Sequence, residues 1–374
     1  MPEFFCPLPW IHQFVQPTGI KMCCTSGTSL PVTSQEFADS DYIKNVRSTI
    51  AAGSIPADCR SCVNQESQGF ISTRTQAIKD WSYNISNVPE NIEYLDLRYS
   101  NLCNFSCRTC EPLFSSSIAR EQELHPKLNN YYKKNPEFIH SNILEDIKPH
   151  VPSLKKLNLT GGEPLLVKEN IAILEYLLER GRQDIQILVT TNASVVNPKI
   201  LKLLKRFNDV HWTVSIDGVG KVAEYIRNGT IWDTVNKNFE QILLLRQSVL
   251  VNVTVSAYSV LDLSNLCRWF KSHKDQRPGQ PMEIMFQVVQ YPIHLQPLSL
   301  PESLIDRAKK NLDESIDIIK TIENNPKEFL NTLQNLRIRI QSTLLSRKFI
   351  EFTKVLDQTR NQQFNYTFGI NHET

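Results

Sequence analysis

The sequence lacks a strong charge of either sign, a long apolar run and histidines spaced as a metal-binding pair. Its 41 basic and 39 acidic side chains leave a net charge of +2, which provides no basic field for nucleic acid. No apolar stretch has the length of a membrane span, and the first ten residues contain no Lys or Arg of a signal peptide. We therefore expect neither a nucleic-acid nor a membrane partner, and a cytoplasmic location.

Cysteine, in contrast, is plentiful and unevenly distributed. Eight of the nine cysteines fall within the first 110 residues, in close pairs and triplets. Dense disulfides are typical of secreted proteins, whereas closely spaced cysteines without a secretory signal indicate metal binding in a reducing compartment. The cysteine pattern and the expected location agree.

Composition divides the chain into three regions. Residues 1–88 are rich in Cys, Ser, Pro and Thr, which predicts a loop-rich module held together by metal because its own apolar core would be small. Residues 89–290 alternate short strand-like runs with helical ones, and residues 291–374 contain helical patterns. The strand candidates are 93–98, 155–160, 185–191, 210–216, 251–257 and 283–289. This order predicts an α/β fold, a partial (β/α)6 barrel of TIM type, followed by a helical C-terminal region.

A cysteine triplet follows the first strand candidate directly. Cys103, Cys107 and Cys110 form a Cys-x3-Cys-x2-Cys arrangement. A [4Fe-4S] cluster normally takes four Cys ligands, so a loop with three leaves one iron able to bind another molecule. A structural zinc site is the alternative, because spacing alone does not identify a metal.

The triplet and three later motifs resemble the radical S-adenosylmethionine (SAM) superfamily. In that family the three-cysteine loop follows the first barrel strand, and Gly161, Gly162 and Glu163 resemble the GGEP motif that contacts the methionine amino group. Asn192 ends the third strand candidate, and Ser215 and Asp217 end the fourth, at positions that resemble contacts to the carboxylate and ribose of SAM. The alternative for Asn192 and Asp217 is that each simply caps a helix or turn.

The remaining early cysteines predict a second, closed metal site. Cys6, Cys59, Cys62 and either Cys23 or Cys24 supply four thiolates, a set that suits an iron-sulfur cluster and zinc equally well. The arrangement resembles the auxiliary-cluster modules called SPASM or twitch domains. Those modules usually follow the barrel, whereas this one precedes it.

The resemblance implies an oxidoreductase or maturase that uses a [4Fe-4S] cluster, SAM and an auxiliary iron-sulfur cluster. One electron from the first cluster would cleave SAM to a 5′-deoxyadenosyl radical, which abstracts hydrogen from the substrate. The electron donor would be a protein such as flavodoxin or ferredoxin. Members with auxiliary clusters commonly modify peptides or proteins, so a peptide or protein substrate is expected. Oxidation or rearrangement of a small molecule, and a non-catalytic zinc-binding interaction protein, are the alternatives.

Overall fold

The computed structural model describes residues 4–67, 71–133, 138, 142–341 and 343–370. In chain order the strands are β1 His12–Gln16, β2 Gly19–Lys21, β3 Tyr94–Leu97, β4 Ser106–Cys107, β5 Lys156–Leu159, β6 Gln186–Thr191, β7 Val210–Ser215, β8 Arg227–Asn228, β9 Ser248–Val255 and β10 Met282–Val288.

The helices alternate with these strands and then continue alone to the end of the described chain. They are α1 Leu8–Ile11, α2 Ser34–Asp39, α3 Asp41–Ala51, α4 Arg60–Ser67, α5 Thr73–Trp81, α6 Ser116–Leu124, α7 Ile143–Ile147, α8 Lys168–Glu179, α9 Pro198–Leu204, α10 Gly220–Ile226, α11 Trp232–Leu243, α12 Leu263–Asp275, α13 Glu302–Lys320, α14 Lys327–Arg339, α15 Ser346–Arg360 and α16 Phe364–Phe368.

The chain divides into two compact units. The first comprises Met1–Asn101, Pro136–Val189 and Asn197–Val210. Its strands follow the order β6-β5-β3-β1-β2, and every neighbouring pair is parallel except β1 with β2. The N-terminal region therefore adds two strands directly to the sheet.

The second unit comprises Leu102–Asn135, Thr190–Val196 and His211–Thr374. Its main strands follow the order β7-β9-β10 and are parallel, and the short strands β4 and β8 pair antiparallel. The C-terminal helices α13 to α16 also belong to this unit.

Buried and half-buried side chains alternate along several of the strands. In β9, Val249, Val251, Val253 and Val255 are at most 1% exposed, and the residues between them are half-buried and mostly polar. The same alternation occurs in β5, β6 and β7, because successive side chains of a strand point to opposite faces. Each of these strands thus packs one face into the apolar core, and its other face carries less buried, mostly polar side chains that could contact a ligand.

The expected fold class is confirmed: the chain is α/β with mostly parallel strands and a helical C-terminal region. Each of the six strand candidates is present, shifted by at most three residues at either end. The region before residue 88 is expected to be rich in loops, but its described residues, 4–67 and 71–87, include two strands and five α-helices. The domain boundaries after residues 88 and 290 stay a prediction. No helix in the described ranges combines the length and apolar character needed to cross a membrane.

Candidate metal and cofactor sites

The central cysteines lie on one loop in the second unit. Cys103, Cys107 and Cys110 are all half-buried, and the Cys110 N–H donates to the Cys107 carbonyl at 3.1 Å. The loop is fixed at Cys103, whose carbonyl accepts the Ser117 hydroxyl at 2.7 Å, and at Cys107, which pairs with β8. Burial raises the pKa of the Cys107 thiol. A bound metal would favour the thiolate over that effect, because metal ligation deprotonates cysteine.

Gly229 lets the chain after β8 approach this loop closely. Its φ is +99°, and an added Cβ would lie 2.8 Å from the Asn104 carbonyl oxygen. A side chain at this position would push the loop away, because the obstructing atom belongs to the backbone. Close packing of two backbone segments therefore explains the glycine at this position.

Three predicted contacts to SAM line one small cavity in the second unit. Asn192, Ser215 and Asp217 line it together with two aromatic side chains, Phe105 and Trp232. Asn192 Nδ2 is also 3.8 Å from Cys103 Sγ. The cavity thus brings together polar groups from the ends of two successive strands and one residue of the cysteine loop, as a cofactor site beside a metal would require.

Arg227 is a further lining residue that sequence reasoning missed. Its Nε is 2.8 Å from Asp217 Oδ2, and its Nη1 is 3.8 Å from Cys107 Sγ. Asp217 Oδ1 accepts the Thr254 N–H at 2.7 Å. Each carboxylate oxygen of Asp217 therefore accepts a hydrogen bond from another group of the protein. Sequence reasoning missed this residue because no local pattern indicates that Arg227 meets a partner ten residues away.

The glycine turn lies in the first unit, against the end of β3. Gly161 has φ +122°, and an added Cβ would lie 2.6 Å from the Ser100 carbonyl oxygen. The Gly162 N–H donates to the same carbonyl at 3.1 Å. Glu163 is fully buried, and its Oε1 accepts the Leu165 N–H at 3.1 Å, so it also caps the short turn that follows. The geometry of this turn requires glycine at position 161.

The N-terminal cysteines gather around one cavity in the first unit. Cys6, Cys23, Cys59 and Cys62 line it, and the Thr25 hydroxyl lies 3.3 Å from Cys23 Sγ and 3.7 Å from Cys62 Sγ. Burial raises the pKa of the Cys6 and Cys23 thiols, and it raises that of Cys59 to about 12. None of the nine cysteines, all within the described part of the chain, forms a disulfide.

Cys24 is not among the residues that line that cavity. Its sulfur is 3.9 Å from the hydroxyl of Thr73, which does line it, so Cys24 lies just outside. The two cysteines lie in the bend and turn that follow β2, where Cys23 is buried and Cys24 is exposed.

The donor sets fit metal groups by their chemistry. Three thiols on one loop suit a cluster with an open iron, and four thiols around one cavity suit a closed cluster or zinc. Among the described residues, no three His, Cys, Asp or Glu side chains are placed as ligands of a single metal ion.

Comparison with known proteins agrees with this donor chemistry. Residues 97–255 match the radical SAM superfamily, so this segment is a radical SAM domain. It contains the three-cysteine loop, the glycine turn and the polar residues of the cavity. The family uses a [4Fe-4S] cluster and SAM, and the homologues of this chain are enzymes.

The relatives match only part of their own length. The chain is 28% identical over 166 residues to radical SAM cyclopropyl synthase TigE of Paramaledivibacter caminithermalis, covering 42% of this chain and 34% of that protein. It is 27% identical over 194 residues to GTP 3',8-cyclase of Aliarcobacter butzleri, covering 49% and 54%.

Similar solved structures are more distant. SuiB of Streptococcus suis bound to precursor peptide SuiA has a TM-score of 0.38 at 13% identity, covering 76% of this chain and 53% of that one. Native anSMEcpe with bound AdoMet has a TM-score of 0.42 at 17% identity, covering 61% and 59%.

Proposed function

We propose that this chain is a radical SAM enzyme that modifies a peptide or protein. The observation that carries the proposal is a three-thiol loop inside a radical SAM domain, beside a cavity that Asn192, Ser215 and Asp217 line. When bound there, the [4Fe-4S] cluster and SAM supply an electron and a 5′-deoxyadenosyl radical that takes a hydrogen atom from the substrate.

The protein's own part is to bind, orient and exclude water. Cys103, Cys107 and Cys110 would hold the irons, and the Gly161 turn with Glu163 would receive the amino group of SAM. Asp217, fixed by Arg227 and the Thr254 N–H, keeps the polar side of the cavity rigid. Rigid placement suits this chemistry, because a reactive radical must meet one C–H bond and no water or neighbouring side chain.

The N-terminal site supports the choice of a peptide or protein substrate. Four thiols from residues 6–62 surround one cavity, as an auxiliary metal centre would require. Cys23 is the proposed fourth ligand and Cys24 is left out, because only Cys23 lines that cavity. The cysteine arrangement resembles modules of family members that modify peptides. A protein such as flavodoxin or ferredoxin is the proposed electron donor.

A small-molecule substrate is the second candidate. The match to GTP 3',8-cyclases, enzymes named for a nucleotide substrate, extends over about half of this chain. Small peptides encoded next to the gene and GTP should therefore be incubated with the reduced enzyme and SAM in parallel. Consumption of GTP with no mass change in any peptide would favour the second candidate.

The experiment that tests the proposal is anaerobic purification followed by iron and sulfide analysis. We expect a brown protein that releases 5′-deoxyadenosine from SAM after reduction. Cys107→Ala should abolish that release, and Cys59→Ala should retain a measurable part of it, because only Cys107 belongs to the central loop. A colourless wild-type protein that holds two zinc ions would instead identify a zinc-binding interaction protein.

A further inference from the structure

Arg108, which directly follows the second cysteine of the central loop, is a fully buried cation. Its side chain is 0% exposed, and its guanidinium carbon lies 3.6 Å from the centroid of the Tyr225 ring. Arg108 Nη2 is 2.5 Å from Asp357 Oδ1 and 2.8 Å from Gln362 Oε1. A charge taken out of water needs such partners, because an uncompensated ion in the interior is strongly unfavourable.

Asp357 of α15 is itself held in place. The Tyr225 hydroxyl donates to Asp357 Oδ1 at 2.8 Å, and the Phe364 N–H donates to Oδ2 at 2.7 Å. Both carboxylate oxygens are therefore fixed by groups other than Arg108. The carboxylate is therefore an anchor whose position does not depend on Arg108.

A second buried contact joins α15 to α6, the helix that follows the loop. Arg360 binds Glu121 through two bonds, of 2.8 and 2.7 Å, and the two side chains are 2% and 13% exposed. At the start of α6, the Ser116 hydroxyl accepts the Cys103 N–H at 3.1 Å. Helix α15 thus supports the loop both at Arg108 and through the helix that anchors Cys103.

We propose that α15 is part of the central metal site, and that Arg108 and Asp357 are positioning residues that hold the three-thiol loop ready for the cluster and SAM. The inference rests on the proposed function. Without the Asp357 charge, Arg108 regains solvation most easily by displacing the loop, which carries Cys107 and Cys110 with it. If the ion pair only stabilised the fold, breaking it would lower the free energy of unfolding and leave the metal site of the folded protein unchanged.

The test compares Asp357→Asn and Asp357→Glu with the wild type after anaerobic reconstitution with iron and sulfide. The readouts are iron per chain, the EPR spectrum of the reduced protein before and after SAM is added, and the Kd for SAM. In Asp357→Asn we expect the SAM-dependent change in the spectrum to be lost and SAM to bind at least about tenfold more weakly. Asp357→Glu, which keeps the carboxylate, should recover part of both. An Asp357→Asn protein that matches the wild type in spectrum and Kd overturns the proposal.

The same helix offers a matched control. Arg347 and Glu351 form an exposed ion pair of 2.9 Å, with side chains 89% and 51% exposed, so Arg347→Gln should match the wild type. Should Asp357→Asn fail to fold, Glu121→Gln tests the second contact, and we expect weaker SAM binding in it; a wild-type Kd there overturns the proposal. A wild-type chain that takes up no iron contradicts the proposed function itself, which distinguishes that failure from failure of the positioning role.

Discussion

Arg227 and Asp217 form a buried ion pair that lies against the central cysteine loop. The Nε to Oδ2 distance is 2.8 Å, and the Asp217 side chain is fully buried. Arg227 also directs Nη1 at Cys107 Sγ, 3.8 Å away. One guanidinium therefore joins the motif that follows β7 to the second cysteine of the loop.

Replacing Arg227 should be strongly destabilising, because Asp217 would remain as a buried charge without its partner. We expect Arg227→Gln to lower the free energy of unfolding by roughly 3 kcal/mol. Urea unfolding under anaerobic conditions measures the effect. Arg268, which binds Glu314 through side chains 53% and 36% exposed, is the control, and Arg268→Gln should change stability by less than about 1 kcal/mol. Equal effects of the two variants would contradict the importance given to the buried pair.

The two adjacent cysteines of the N-terminal region should behave differently. Cys23→Ala should lose the metal of the N-terminal site, because Cys23 lines the shared cavity. Cys24→Ala should keep it, since Cys24 is exposed and does not line that cavity. Metal analysis of both variants, in a chain whose three central cysteines are replaced by Ala, measures the N-terminal site alone. Metal loss in Cys24→Ala with retention in Cys23→Ala would reverse the assignment.

Gly161→Ala should disrupt the turn at the end of β3. The new methyl group would lie 2.6 Å from the Ser100 carbonyl oxygen, at a φ of +122° that disfavours any side chain. Strain and overlap together should lower the free energy of unfolding by about 3 kcal/mol and weaken SAM binding. Gly181 provides the control, because its φ is +71° but nothing lies within 4 Å of the added atom. Gly181→Ala should therefore lose only about 1 kcal/mol and bind SAM normally.

His12 should make the protein less stable in mild acid. Burial lowers the pKa of His12 from 6.5 to about 4, while its Nδ1–H donates to the Met22 carbonyl at 2.8 Å. The folded pKa lies below the unfolded one, so the unfolded state binds more protons and stability falls as pH drops below 6.5. Between pH 6.5 and 5 the loss from this one group should be about 2 kcal/mol.

His12→Gln isolates that contribution. Glutamine can still donate to the Met22 carbonyl, but it does not titrate. The comparison matters because burial also raises the pKa of Asp96, from 3.8 to about 6. A raised carboxyl pKa increases stability as the pH falls over the same range, which opposes the effect of His12. Anaerobic urea unfolding at pH 7 and pH 5 should therefore show a smaller loss in His12→Gln than in the wild type. Identical losses in both proteins would disprove the role of His12.

The barrel strands and the central loop could be predicted from sequence because both have local signatures. Strands such as β7 and β9 alternate buried and half-buried residues, and the Cys-x3-Cys-x2-Cys spacing lies within eight residues. Strand β1, in contrast, is buried at every position and shows no alternation. Its place in the sheet therefore escaped the periodicity argument.

Contacts between distant residues have no local signature. Arg108 and Asp357 are 249 positions apart, and neither residue type nor spacing indicates that they meet. For a related reason the sequence could not distinguish Cys23 from Cys24 as the fourth ligand. Which of the two side chains points into the cavity depends on how the chain packs after β2, and no local pattern indicates that packing.

The pairing of β1 with β3 has a consequence for attempts to shorten the protein. β1 covers one side of β3 with parallel backbone hydrogen bonds over four aligned residue pairs. A chain lacking residues 1–88 would leave β3 as an open sheet edge, whose unpaired amide and carbonyl groups invite association with other chains. Such a truncated protein should aggregate instead of yielding an isolated barrel.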